Sequence, residues 1–279
     1  MTLGICSITV TYNPTLEEGI LQRQLKSIVE SKISPFLIDN NSNNIKQIEE
    51  MAAKVSPTIT VLRLDYNYGI GKALNIGISK CLQRDKCDWI LTLDQDSVIE
   101  KESLNALFDI ISREKDLRAD IYGLNYRTRR FNKEKTINNT GKDQYTDFVI
   151  TSGMLANRMV YEAIKYDENL FMYFVDTDFC IRATKFGFTI IQCFSASMEH
   201  HEGDRLVKGK NIFYVMKPST IFFIGRNSVR VFIKHHKVLP ILYSFQVVFE
   251  NIIASYFVVG TLSNLLRGFF YGIFREISE

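Results

Sequence analysis

Strand and helix alternate four times between residues 4 and 113, and few architectures accommodate that rhythm. Residues 4–12 (Gly-Ile-Cys-Ser-Ile-Thr-Val-Thr-Tyr) form a β-branched run that ends at the turn pair Asn13-Pro14. Thr15-Leu-Glu-Glu reads as the opening of a helix to about Ser31, with Leu21, Leu25, Ile28 and Val29 on one face. Short strands at 35–39 and 59–64 and helices over 45–54 and up to Leu82 follow. The apolar run Trp89–Leu93 and an amphipathic helix over 100–113 complete the series. Such alternation predicts βαβ units, a mostly parallel sheet and helices on both of its faces. Each strand end carries polar side chains, as a ligand crevice at the carboxyl edge of an open α/β sheet requires.

The fourth strand stops at two aspartates, Asp94 and Asp96, with Gln95 between them. Alternate side chains on an extended chain point the same way, so the two carboxylates repel unless a cation sits between them and a ligand. Mg²⁺ or Mn²⁺, with phosphate oxygens completing the shell, suits that arrangement. The competing reading makes Asp94 and Asp96 caps of the next helix, since Asp is a good N-cap and Glu100 and Glu102 favour a helix start. On this stretch alone both readings stand.

Between the third and fourth strands lies Asn67-Tyr-Gly-Ile-Gly-Lys-Ala-Leu-Asn-Ile-Gly77, which is neither a P-loop nor a dinucleotide fingerprint. Gly71 and Gly77 suit close helix packing, whereas the flanking Asn67 and Asn75 suit contact with a ligand. After a strand over 121–126, residues 127–146 are polar, basic and rich in Asn, and read as a mobile loop or excursion. Phe148–Gly153 returns to the core, and its Ser152-Gly153 pair fits either a backbone approaching a ligand or a plain turn.

Leu170-Phe-Met-Tyr-Phe-Val then delivers the chain to Asp176 and Asp178 at the start of a helix that continues through Arg182. A carboxylate outside an apolar wall is desolvated and suited to act as a base; helix capping is the alternative. Strands at 190–193 and 197–199 lead into His200-His201-Glu202-Gly203, a candidate metal-ligand site.

Charge is uneven along the chain. The net charge is +3, yet residues 204–237 carry eight bases and one acid. Residues 211–237 read as a long basic helix, and 238–274 are strongly apolar. The longest uncharged run there, Asn251–Leu266, has 16 residues, short of the eighteen or so that a spanning helix needs. An amphipathic helix pair lying on a bilayer is expected, with the basic stretch towards anionic headgroups. A helical homodimer interface is the alternative. A basic stretch beside an apolar tail points to lipid or phosphate and away from nucleic acid. The five cysteines (Cys6, Cys81, Cys87, Cys180, Cys193) are scattered without metal spacing, which fits reduced thiols in a cytosolic compartment. Gly4–Val10 is too short and lacks the basic flank of a signal peptide.

Together these segments resemble an inverting, family-2 glycosyltransferase of the GT-A fold. The matching segments are Thr9-Val-Thr-Tyr-Asn-Pro14, Ile38-Asp-Asn-Asn-Ser42, Asn67–Gly77, Leu93-Asp-Gln-Asp-Ser97, Thr151-Ser-Gly153, Val175–Arg182, His200-x-x-Gly203 and Arg226-Asn227. The Asp-Gln-Asp form of the DxD motif resembles the bacterial rhamnosyltransferase subgroup. The resemblance implies a Rossmann-like catalytic domain over 1–210 and a C-terminal helical extension over 211–279. It implies that Thr11, Tyr12, Asn13, Asp39, Asn67, Gly71, Asn75, Asp94 and Gln95 bind the donor. Asp96 and His200 would hold Mg²⁺ or Mn²⁺, and Asp176 would be the general base. Gly153, Asp178 and Arg182 would either bind the acceptor or brace the residues that do, although Asp178 stands where relatives often have Glu. The implied reaction moves L-rhamnose from dTDP-β-L-rhamnose onto a lipid-linked cell-surface polysaccharide precursor, at the cytoplasmic, inner face of the cell membrane. The alternatives are a UDP-sugar donor (galactofuranose, hexose or HexNAc) and a non-catalytic nucleotide-sugar-binding scaffold.

Overall fold

The computed structural model describes residues 4–112, 119–130, 133–136, 141–200, 204–208, 211–255 and 258–274. The chain runs β1 (Ile5–Thr11), α1 (Ile20–Glu30), β2 (Ser34–Asp39), α2 (Ile45–Val55), β3 (Thr60–Arg63), α3 (Ile70–Leu82), β4 (Trp89–Asp94) and β5 (Ser97–Ile99). It continues through α4 (Lys101–Ser112), β6 (Ile121–Arg130), β7 (Lys133–Thr136), β8 (Gln144–Tyr145), β9 (Met154–Asn157), α5 (Arg158–Ala163) and α6 (Val175–Lys185). The last elements are β10 (Ile190–His200), β11 (Asp204–Lys208), β12 (Asn211–Val215), α7 (Pro218–His235), α8 (Leu239–Ser255) and α9 (Val258–Phe274).

The central sheet has the order β3-β2-β1-β4-β9-β6-β10-β5, with β7 on β6 and β8 on β10. β3, β2, β1 and β4 are mutually parallel. β9 runs antiparallel between β4 and β6, and β10 is again parallel to β6. Alternation along each strand divides the core between the two faces. Cys6, Ile8, Val10, Phe36, Ile38 and Ile90 face α3, α6 and α7. Leu91 and Leu93 face Ile28 of α1 and Leu104 and Leu107 of α4, and Leu37 packs with Ile48 of α2.

Several sequence expectations change. α1 begins at Ile20, because Leu16–Gly19 closes a turn (Gly19 N–H to Leu16 O, 3.0 Å) with Gly19 at φ 64°. Part of the excursion expected at 127–146 is a hairpin of β6 and β7. The closing strands at 190–193 and 197–199 are one strand, β10, irregular between Cys193 and Ser197. The first five residues of the expected basic helix form β12, which pairs with β11. The boundary expected after residue 210 therefore falls within a hairpin, and Ile221, Ile224 and Val231 of α7 join the main core.

α9 packs closely against α7. A Cβ on Gly268 would overlap the Phe222 carbonyl and lie 2.8 Å from the Arg226 nitrogen, so only glycine lets the two backbones approach this far. On the outer side of α8, Leu239, Leu242, Phe245 and Phe249 are exposed, and α9 exposes Leu262, Leu266, Phe270 and Ile273. Their spacing makes one apolar stripe on each helix. No helix among the described residues is long and apolar enough to cross a membrane.

Candidate active site

The carboxyl ends of β1, β2 and β4 form a single crest. At β1, Thr11 Oγ1 donates to Asp39 Oδ1 (3.2 Å), and Ser42 N–H donates to Asp39 Oδ2 (2.9 Å). Asn13, in the left-handed region (φ 46°), receives Asn43 N–H on its Oδ1 and donates its own N–H to Ser42 Oγ. Gln95 grips the backbone of Tyr12 from both sides: Oε1 accepts from Tyr12 N–H (2.7 Å) and Nε2 donates to Tyr12 O (3.3 Å). Thr11, Tyr12, Asn13, Asp39 and Gln95 are thus brought together, with the Tyr12 side chain about half exposed.

Asp94 ends β4, and Ser97 at once begins β5, which pairs antiparallel with β10 in the register His200↔Ser97. A strand therefore separates both aspartates from α4, and neither caps that helix. Buried Gln24 of α1 fixes this turn by donating from Nε2 to Asp94 O (2.7 Å) and to Ser97 O, while Thr9 donates to Gln24 Oε1. Ser97 Oγ lies 2.7 Å from both Ser152 Oγ and His200 Nδ1, and Ser152 Oγ accepts Asp94 N–H. Gly153 shapes the turn below: at φ 79°, its N–H donates to Thr92 O and its carbonyl accepts from Leu124 N–H. Gln24 escaped the sequence reading, and Ser97 and Ser152 stood in the matching segments without a side-chain role, since a buried Gln or Ser looks like any other until its partners are known.

Asp94, Asp96 and His200 converge, with one ligand atom from each lying within 4.8 Å of the others. His200 Nδ1 is 3.6 Å from Asp96 Oδ1. Burial, and then the Asp96 charge, push the Asp94 carboxyl up to about 6, with His200 opposing. A cation relieves that repulsion, and two carboxylates with an imidazole suit Mg²⁺ or Mn²⁺. His201 and Gly203, the rest of the histidine motif, lie outside the described residues.

Asp176 sits in the first turn of α6, its Oδ1 accepting Thr177 N–H at 2.8 Å. Burial raises its carboxyl to about 6 against the opposing Thr177 hydrogen bonds, and the Asp94 charge adds to the rise. The charge of the candidate donor-side carboxylate therefore reaches the candidate base.

Asp178 is placed elsewhere. It is fully buried and holds Arg182 (Nε 2.8 Å, Nη2 2.6 Å), Lys234 Nζ (2.8 Å) and His235 Nε2 (2.8 Å). Burial alone would raise its carboxyl, but the bonds from Lys234, His235 and Arg182 outweigh burial and hold it below the usual range. Asp178 and Arg182 are engaged in an ion cluster that joins α6 to α7, which agrees with their bracing the acceptor side from behind rather than touching the acceptor. Gly71 and Asn75 are likewise occupied. A Cβ on Gly71 would sit 2.8 Å from Asp167 O, and Asn75 exchanges hydrogen bonds with the Tyr166 backbone. Asn67 caps its own turn through Gly69 N–H, and Asn40, part of the second-strand motif without a role of its own, braces that turn at Tyr68 N–H and Gly69 O. Cys6, Cys81 and Cys87, scattered in sequence, meet in the core with their sulfurs within 4.8 Å of one another.

Carboxylates gathered at the carboxyl edge of a doubly covered, mostly parallel sheet are the arrangement that the resemblance to GT-A glycosyltransferases implies. Residues 6–181 match the family model described as glycosyl transferase family 2, and the chain belongs to that family. It is similar to the dTDP-rhamnosyl transferase RfbF of Shigella flexneri, at 27% identity over 281 residues, covering 96% of this chain and 92% of that one. Solved structures that share its fold include the following two. The S. aureus TarS fragment 1–349 in complex with UDP-GlcNAc aligns at TM-score 0.56 and 16% identity, covering 94% of this chain and 70% of that one. GalNAc-T7 with UDP, GalNAc and Mn²⁺ aligns at TM-score 0.60 and 15% identity over 80% of this chain; the alignment spans 47% of that chain.

Proposed function

We propose that this glycosyltransferase moves L-rhamnose from dTDP-β-L-rhamnose onto a hydroxyl of a lipid-linked cell-surface polysaccharide precursor, with inversion at the anomeric carbon. The observation that carries the reading is the convergence of Asp94, Asp96 and His200 beside a second, desolvated carboxylate at Asp176. The likeness to RfbF over nearly the whole chain supports the choice of sugar.

Asp176 is the general base. Burial keeps its carboxylate a better proton acceptor than an exposed one. It takes the proton of the acceptor hydroxyl as that oxygen attacks, and the nucleoside diphosphate leaves from the opposite face. A single displacement needs no enzyme nucleophile. Asp96 and His200 would hold Mg²⁺ or Mn²⁺, with Asp94 towards the sugar side of the donor. When bound, the ion offsets negative charge on the departing diphosphate. Thr11, Tyr12, Asn13, Asp39, Asn67 and Gln95 line the base and ribose side of the donor.

The apolar stripes of α8 and α9 support peripheral attachment at the inner face of the cell membrane, where a lipid-linked acceptor resides. The test is a release assay over dTDP-β-L-rhamnose, UDP-galactofuranose, UDP-hexoses and UDP-HexNAc, with mass spectrometry of the product. Turnover of UDP-sugars but not of dTDP-rhamnose would overturn the donor assignment. Turnover of none, with a membrane lipid extract present, would favour a scaffold.

A further inference from the structure

The Arg226-Asn227 pair has no part in the chemistry outlined above, yet Asn227 is fully buried and all its side-chain hydrogen-bonding groups are used. Arg226 Nε donates to Asn227 Oδ1 (3.0 Å), which fixes the orientation of the amide. The Asn227 Nδ2 group then donates to the carbonyls of Met172 (2.6 Å) and Tyr173 (3.3 Å). No group of Asn227 remains to meet a ligand.

What it grips is unusual backbone. Tyr173 and Phe174 are consecutive left-handed residues, at φ 62° and 61°, and neither is glycine. That conformation is unfavourable for bulky side chains and persists where surrounding structure over-determines it. Phe174 is the N-cap of α6, with no side-chain cap hydrogen bond, and Asp176 follows two residues later. On the far side of Asp176, Lys234 and His235 hold Asp178. Asn227, Lys234 and His235 are two turns apart on one face of α7, so a single helix grips the chain on both sides of Asp176. Arg226 and Arg230 also reach Asn169 O, bracing the same segment further upstream.

We propose that Asn227 is a positioning residue for sugar transfer: from α7 it locks the left-handed pair Tyr173–Phe174 and so sets where the Asp176 carboxylate points. This rests on the reading of Asp176 as the base. Without the lock, the pair relaxes towards right-handed φ, and the first turn of α6 swings about its anchor at Asp178.

The test uses the full chain as wild type, Asn227→Ala, Asn227→Asp and the double variant Asn227→Ala/Tyr173→Gly. Asn227→Asp keeps the shape and the Arg226 contact but turns an acceptor towards both carbonyls. Hydrogen–deuterium exchange should quicken at least tenfold in peptides covering 172–178 of both single variants and stay unchanged in β1 and β2. With dTDP-β-L-rhamnose and a membrane lipid extract, kcat should fall roughly ten- to a hundredfold, the scale expected of a small misplacement of a reacting group. The KM for donor should stay within about twofold, because the donor crest is untouched. Tyr173→Gly, which adopts φ near 60° without strain, should recover part of the lost kcat. Unchanged exchange at 172–178, unchanged kcat, or equal loosening across the whole sheet in both single variants would overturn the lock. Asp176→Asn run in parallel separates the two ideas. Retained activity there overturns the base and with it the role of the lock in transfer. An inactive Asp176→Asn beside an intact Asn227→Ala overturns the lock alone.

Discussion

Replacing Asp178 by Asn tests the ion cluster that joins α6, the helix that carries Asp176, to α7. The side chain keeps its size but loses the charge that answers Arg182, Lys234 and His235, whose side chains are 21%, 38% and 3% exposed. Breaking a fully buried ion pair costs about 3–5 kcal/mol. Arg182 and Lys234 can regain water here while His235 cannot, so the expected loss lies at or just below the bottom of that range, about 2–3 kcal/mol. For a chain of this size each kcal/mol moves the midpoint by roughly 2–4 °C, which gives a fall of roughly 5–10 °C. The pH dependence gives a second handle. Asp178 is held below the usual carboxylate range, so its contribution is fully present above the unfolded value and is lost as pH falls through the lower folded value. Urea titrations followed by the fluorescence of Trp89, the single tryptophan, should show a deficit that is level at neutral pH and closes below about pH 4. A deficit under about 1 kcal/mol at pH 7 would refute the reasoning, because an exposed surface pair is worth no more than that. So would a deficit undiminished at the lowest pH where both proteins fold.

Asp176→Asn is expected to abolish transfer while donor affinity, read by calorimetry with a dTDP-sugar, changes little. In the wild type the rate should decline as pH drops through about 6, where the Asp176 carboxyl takes up its proton; a rate flat to pH 5 would remove Asp176 as the base. Chelation with EDTA should stop turnover and Mn²⁺ restore it, and His200→Ala should need roughly ten- to a hundredfold more Mn²⁺ for half-maximal rescue, the usual cost of weakening a metal site. An unaltered Mn²⁺ requirement would exclude His200 as a ligand. Exchanging Phe245, Phe249 and Phe270 for Ser should release the protein from anionic liposomes in co-sedimentation; loss of a dimer instead, with lipid binding retained, would assign the stripes to a second subunit.

The sequence made β1 to β4 legible because each is a short apolar run closed by polar or turn residues, and that pattern depends only on neighbours along the chain. The same locality explains what was missed. Ser97-Val-Ile99 is too short to show a strand period and stands where a helix start was expected, so β5 and the pairing of Ser97 with His200 stayed hidden. Asp178 resembles Asp176 in sequence, yet its role is decided by Lys234 and His235, more than fifty residues downstream. The 211–237 stretch reads as one basic helix because every charged residue in it is Lys or Arg. Folded, Arg226, Arg230 and Lys234 turn inward to carbonyls and carboxylates of the 167–178 region.

The irregular stretch of β10 between Cys193 and Ser197 bears on how chains of this kind tolerate changes in length. Cys193 pairs with Leu124 while Ser197 pairs with Asn125, so three residues of β10 are taken up where β6 advances by one step. Asp143 pins that detour by accepting the N–H groups of Phe194 and Ser195. Because strand side chains alternate, adding or deleting a single residue between Ser197 and His200 would turn the imidazole to the opposite face of the sheet. A change of length inside the detour alters only its bow, provided Ser197 keeps its partner. Viable insertions and deletions should therefore gather before Ser197, and the three steps from there to His200 should behave as a fixed ruler.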